Sequence, residues 1–112
     1  MHERRESEAL SMIRVFSGAS HPQLAQGICA NLGVPLSPVA RERFSNDCQY
    51  VQLGQTVRNH DVFIVQSLSA PTSDHLIELF MMLDIARNAG ARSVHAVIPY
   101  YSYARSDKKD AP

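Results

Sequence analysis

Val62–Phe63–Ile64–Val65 is four apolar residues in a row, with a turn-forming cluster, Asn59–His60–Asp61, just before it. A strand with one wet face alternates apolar and polar residues. A continuous run fits a strand covered on both faces, as in a parallel sheet flanked by helices. A parallel neighbour needs a long crossover, and the sequence supplies one. Residues 67–72 read as a loop, and Thr72 or Ser73 as the cap of a helix over about 73–89. Asp74 and Glu78 lie early and Arg87 late in that helix, which suits its dipole. Leu76, Ile77, Leu79, Phe80, Met81, Met82, Leu83 and Ile85 leave little polar surface, so the helix is expected to be largely buried, against the sheet or a partner subunit. Gly90 ends it, and SVHAVIP, Ser93–Pro99, reads as the next strand.

The first half repeats part of this pattern. MIRVF, from Met12, is a short strand ended by Ser17–Gly18. Ser20 is placed to cap a helix with Pro22 in its first turn. Leu24, Ile28 and Leu32 recur at i, i+4 and i+8, and Gly33 stands where a C-terminal glycine stops a helix. Residues 34–58 carry Pro35, Pro38 and Gly54 and no helical period. VARERF and CQYVQL read as two strands about the turn Ser45–Asn46–Asp47, with Cys48, Tyr50 and Gln52 on one face and Gln49, Val51 and Leu53 on the other. The order is β-α-β-β-β-α-β: a mostly parallel α/β sheet with an exposed hairpin beside it and right-handed crossovers.

Composition sets outer limits. A chain of 112 residues suits one domain. Residues 1–11 are charged and read as a mobile leader, with a folded domain over 12–112. Eleven Lys and Arg against eleven Asp and Glu leave no basic excess, so no nucleic-acid partner is expected. No apolar run reaches the ~20 residues of a membrane span. The N-terminus lacks a signal-peptide core. Cys29 and Cys48 are too few for a disulfide framework, which points to a reduced, cytoplasmic protein.

Chemistry is sought beyond the carboxyl ends of the strands. The segment YYSYARSDKKDAP puts Arg105, Lys108 and Lys109 there, and a basic loop can clamp phosphate. Asp107 and Asp110 dilute its charge, and a solvated tail has the same composition. Phe44 beside the turn can stack on a base or anchor the hairpin on the core. The five histidines show no i, i+4 pair, and no glycine-rich phosphate loop is present.

Four blocks in order raise the phosphate reading: VFSG at 15–18, RFSND at 43–47, DVFIVQS at 61–67, and the stretch from Ala70 to Asp110 that ends in IPYYSYARSDKKD. Together they resemble the N-terminal part of ribose-phosphate pyrophosphokinases (PRPP synthetases) over about residues 12–112. The resemblance implies a phosphoribosyltransferase-like fold. It implies transfer of the β,γ-diphosphoryl group of ATP to the 1-hydroxyl of ribose 5-phosphate with magnesium, releasing AMP, in a dimer-based oligomer such as a hexamer. It implies that Phe44 packs on adenine and Asn46 reads the base. Cys48 stands where the family commonly has a glutamate, and a thiol is a weak acceptor. Arg105 matches the arginine of the flexible catalytic loop, Ser106 replaces a usual glutamine beside it, and Lys108 and Lys109 match basic loop residues that neutralise the transferring group. No magnesium ligand of the family is matched within the 112 residues. The domain is therefore expected to be incomplete at its C-terminal end and inactive alone. The alternative is a non-catalytic relative that binds nucleotide or joins synthetase oligomers.

Overall fold

A computed structural model of the chain describes residues 8–43 and 49–99. The leader residues 1–7, the turn Ser45–Asn46–Asp47 and everything after Pro99 lie outside the described residues. The elements run β1 (Ile13–Ser17), α1 (Pro22–Leu32), β2 (Val39–Arg43), β3 (Gln49–Leu53), β4 (Asp61–Val65), α2 (Thr72–Asn88) and β5 (Ser93–Val97). This is the order expected from the sequence. Described structure starts a little earlier, with a helical turn at 8–11 whose Leu10 packs on the core near α1.

The central sheet has the order β1-β4-β5, all parallel. Successive residues of β1 face opposite sides. Val15 packs with Val65 and with Ala25 and Cys29 of α1. Phe16 packs with Val62 and Ile64 and with Leu79, Met82 and Ala86 of α2. The Val62–Val65 run therefore serves both faces, which is why no polar residue interrupts it. Beyond α1 the chain returns to the free edge of β1, where Leu36 forms a parallel bridge to Val15. From β4 it moves the other way, across α2 to β5. Opposite directions on opposite faces give both crossovers the same hand.

The hairpin is a separate two-stranded sheet, β2 paired antiparallel with β3. Its inner face, Val39, Val51 and Leu53, packs against the α2 cluster, while Ala40, Glu42, Tyr50 and Gln52 are exposed. The alternation read from the sequence holds here.

Four local expectations change. The cap of α1 is His21, whose Nδ1 accepts from the Leu24 N–H at 3.1 Å, and not Ser20, which is engaged with Gln66. Its inner face centres on Ala25 and Cys29, and Leu32 is exposed. Helix α2 starts after Pro71 with no side-chain cap, because the Thr72 hydroxyl donates back to the Leu68 carbonyl. Nor is α2 largely buried: Ile77 and Phe80 are 55% and 60% exposed. The C-terminus of α1 does follow the glycine rule: Gly33 at φ 78° donates its N–H to the Cys29 carbonyl.

Candidate functional site

The winding reverses between β1 and β4, so the crevice at their carboxyl ends is the topological switch point of the sheet. Two short segments form it: Ser17, the last residue of β1, with Gly18–Ser20 after it, and Gln66–Ser67 after β4. Backbone bonds fix both, from Gly18 N–H to the Val65 carbonyl at 2.8 Å and from Gln66 N–H to the Val97 carbonyl at 3.0 Å.

Two buried polar side chains tie these segments together. Gln66 is fully buried, directly after the apolar run of β4. Its Oε1 accepts from the Ser20 hydroxyl at 2.7 Å and the Ser20 N–H at 3.2 Å. Its Nε2 donates to the His75 carbonyl at 3.0 Å and to Glu78 Oε1 at 2.8 Å. A backbone N–H only donates and a carbonyl only accepts, so this arrangement admits one orientation of the amide. Glu78 is 1% exposed. Its Oε1 also accepts from the Ala19 N–H at 2.6 Å, and its Oε2 accepts from Arg41 Nε at 2.9 Å. The Arg41 guanidinium donates again, through Nη2, to the Ser17 carbonyl at 2.8 Å. The Ser20 hydroxyl accepts from the Ser67 N–H at 2.7 Å. Gly18 lies against this cluster so closely that a Cβ there would sit 2.1 Å from Gln66 Oε1. Among the described residues no buried side-chain nitrogen or oxygen lacks a partner.

These bonds join the crevice walls, the first turns of α2 and the hairpin. Among the described residues no three His, Cys, Asp or Glu side chains are grouped to hold a metal. An open groove of about 800 Å³ lies elsewhere, between β3 with its following loop and Met81, Ile85 and Ala89 of α2, away from the carboxyl ends of β1 and β4. At the opposite end of the sheet, Asp61 accepts from Arg92 and from the Ser93 hydroxyl. The Arg92 guanidinium first, then Ser93, holds the Asp61 carboxyl well below the usual carboxylate range.

Phe44, Asn46, Cys48, Arg105, Ser106, Lys108 and Lys109 all lie outside the described residues. What is described is where their segments attach. Strands β2 and β3 lead into 44–48, and β5 finishes at the carboxyl end of the sheet, the end that also carries the switch point, shortly before Tyr100. Sequence reading gave Arg41, Gln66 and Glu78 no part in the crevice, and took Glu78 only as an acid suited to the helix dipole. Two signals were available. Glu78 falls on the buried stripe Glu78, Met82, Ala86 at i, i+4, i+8, and Gln66 is a polar residue appended to a run buried on both faces.

A parallel sheet wound in both directions, with helices on opposite faces and a polar crevice at its switch point, defines an open α/β domain of the doubly wound kind. The sequence narrows this further. Residues 13–112 match the family described as the N-terminal domain of ribose phosphate pyrophosphokinase, and the chain belongs to that family. It is 56% identical over 102 residues to the ribose-phosphate pyrophosphokinase of Deinococcus radiodurans, covering 91% of this chain and 32% of the relative. To that of Parasynechococcus marenigrum it is 47% identical over 112 residues, covering 96% and 34%. The chain thus spans about a third of the length of the curated relatives it matches. Among solved structures, phosphoribosylpyrophosphate synthetase from Mycobacterium smegmatis superposes with a TM-score of 0.78 at 30% identity, over 89% of this chain and 34% of that one. A purine phosphoribosyltransferase from Pyrococcus horikoshii, at TM-score 0.55 and 14% identity over 89% of this chain and 70% of that one, shares the fold.

Proposed function

We propose that residues 12–112 form the ATP-side part of a ribose-phosphate diphosphokinase. The reaction moves the β,γ-diphosphoryl group of ATP, taken as its magnesium complex, to the 1-hydroxyl of ribose 5-phosphate and releases AMP. The observation that carries this reading is the family match over 13–112, a range that takes in residues 44–48 and the basic segment after β5. In this reading Phe44 packs on adenine, Asn46 and Cys48 contact its edge, and Arg105, with Ser106 beside it, grips the phosphates. Lys108 and Lys109 neutralise the transferring group. Phosphoryl transfer suits such a site, since positioning and charge neutralisation do most of the catalytic work.

The 112 residues span about a third of their relatives. We therefore expect the ribose 5-phosphate site to need groups outside them and the isolated chain to release no AMP. The fold does not argue against a dimer-based assembly: Ile77 and Phe80 of α2 are apolar and exposed. The test is AMP release that depends on both ATP and ribose 5-phosphate. It is measured on the protein expressed from its own gene, beside its Arg105→Ala variant and the 112-residue chain. Turnover by the native protein, weakened about tenfold or more by Arg105→Ala, supports the reading. Absence of turnover in the native protein, with MgATP still bound, points instead to a non-catalytic relative.

A further inference from the structure

Strand β3 pairs with β2, and among the described residues it has no second neighbour. The Gly54 N–H donates to the Pro38 carbonyl at 2.8 Å, one step beyond the pairing of Leu53 with Val39. Bonded pairs alternate along an antiparallel ladder, so Gln52 and Tyr50 spend their main-chain groups on Ala40 and Glu42. The main-chain groups of Gln49, Val51 and Leu53 point to the other side, the open edge. The groove of about 800 Å³ is lined by residues 50–57 and by Met81, Ile85 and Ala89 of α2, and by no described residue of β2, which puts it along this open edge. Open edges are normally blunted by charge or proline. The β2 edge fits that rule, with Pro38 before it and Arg41, Glu42 and Arg43 in it. The β3 edge does not. From Gln49 to Val57 there is neither charge nor proline, and among the described residues no charged side chain lines the groove.

We propose that the open edge of β3 is a contact between two copies of this chain, their β3 strands paired antiparallel about a two-fold axis at Val51. An uncharged groove beside a free strand edge suits an uncharged strand, which adds main-chain hydrogen bonds there. The ends of this chain do not match it: residues 1–7 carry Glu3, Arg4, Arg5 and Glu6, and residues 100–112 carry Arg105, Asp107, Lys108, Lys109 and Asp110. Strand β3 itself matches, and a two-fold axis sets the same patch against itself. Only Gln49, Val51 and Leu53 offer outward main-chain groups, so bonded pairs across the axis join these positions. The register that pairs all of Gln49–Leu53 is centred on Val51, with Tyr50 of each copy opposite the counterpart of Gln52. The two hairpins then form one continuous sheet over both α2 helices, which relieves the weakness of a lone two-stranded sheet. This rests on the fold and the charge pattern and stands apart from the catalytic reading.

The experiment uses the protein expressed from its own gene, with Cys48→Ser throughout so that only introduced thiols near the turn can link; Cys29 is buried. Tyr50→Cys and Gln52→Cys are made separately, both on the exposed outer face. In the proposed register residue 50 of one copy lies opposite residue 52 of the other at a Cα spacing of about 4.5 Å, within disulfide reach. Either variant with itself makes only diagonal neighbours about 7–8 Å apart. Mild oxidation of the mixture is therefore expected to give about tenfold more cross-linked dimer than either variant alone. The outward amides of Val51 and Leu53 should exchange about tenfold more slowly as concentration rises, and those of Tyr50 and Gln52, already paired, should change less. Tyr50→Lys together with Gln52→Lys sets like charges opposite each other and should weaken association about tenfold. Phe80→Glu, outside the groove, should spare the cross-link. Equal linking in the mixture and in the single variants overturns the proposal, as does association untouched by the two lysines. Slow exchange at Val51 and Leu53 at every concentration, with no cross-link, means that another segment fills the groove and overturns it too. No outcome here bears on AMP release, so the catalytic reading is tested separately.

Discussion

Replacing Gly18 by alanine tests the switch-point network most directly. Gly18 is not one of the glycines with positive φ, so its backbone suits alanine and the cost comes from space alone. An added Cβ would lie 2.1 Å from Gln66 Oε1, 2.3 Å from Cδ and 2.6 Å from Nε2. Gln66 has nowhere to retreat, being fully buried and held by Ser20, His75 and Glu78. Overpacking of this kind costs about 1–3 kcal/mol. Each hydrogen bond that Gln66 surrenders costs about 0.5–1.5 kcal/mol more. Gly18→Ala should therefore destabilise the chain by about 3–5 kcal/mol, a fall in Tm of roughly 15 °C or more for a domain of this size. Thermal and urea unfolding measure it. Truncating the neighbour makes room, so adding Gly18→Ala to Gln66→Ala should cost less than about 1 kcal/mol, a coupling of about 2 kcal/mol or more. A Gly18→Ala variant within about 0.5 kcal/mol of the parent, or costs that simply add, would refute the close-packing argument.

Burial pushes the Cys29 thiol above its ordinary range, so the folded state favours the neutral form. That contribution is complete below the thiol's unfolded pKa of about 8.5 and is lost as pH rises through the higher folded value. Urea midpoints should fall between about pH 8 and pH 10, and fall less in Cys29→Ala, which is otherwise less stable. Asp61 has the opposite sign: Arg92 and Ser93 depress its carboxyl, so its contribution is present above about pH 4 and fades as pH drops below that. Asp61→Asn should be less stable than the parent at neutral pH, and the gap, read by circular dichroism, should narrow steadily as the pH is lowered from about 4. With Ile77 and Phe80 exposed on α2, the chain should self-associate at micromolar concentration, and Phe80→Glu should shift it towards monomer by light scattering. A parent chain that stays monomeric would remove that expectation.

Much of the architecture was legible in the chain itself, because local chemistry and periodicity were enough to reveal it. The uninterrupted Val62–Val65 run announced a strand covered on both sides, Gly33 a helix end, and the alternation of Tyr50, Val51, Gln52 and Leu53 a hairpin with one wet face. The basic segment with Arg105, Lys108 and Lys109 was visible too, through its composition and then through family resemblance. Partnerships between distant residues were not. Arg41 and Glu78 lie 37 positions apart, Ser20 and Gln66 46, and Ala19 and Glu78 59. Read along the chain, Glu78 was an acid helping a helix dipole and Ser20 a helix cap. Folding gives both to a buried network instead, because a carboxylate and an amide taken out of water must find partners, and which partners are near depends on how the sheet is wound. Local preference wrote the elements. The order β1-β4-β5, with helices on opposite faces, chose which side chains meet at the crevice.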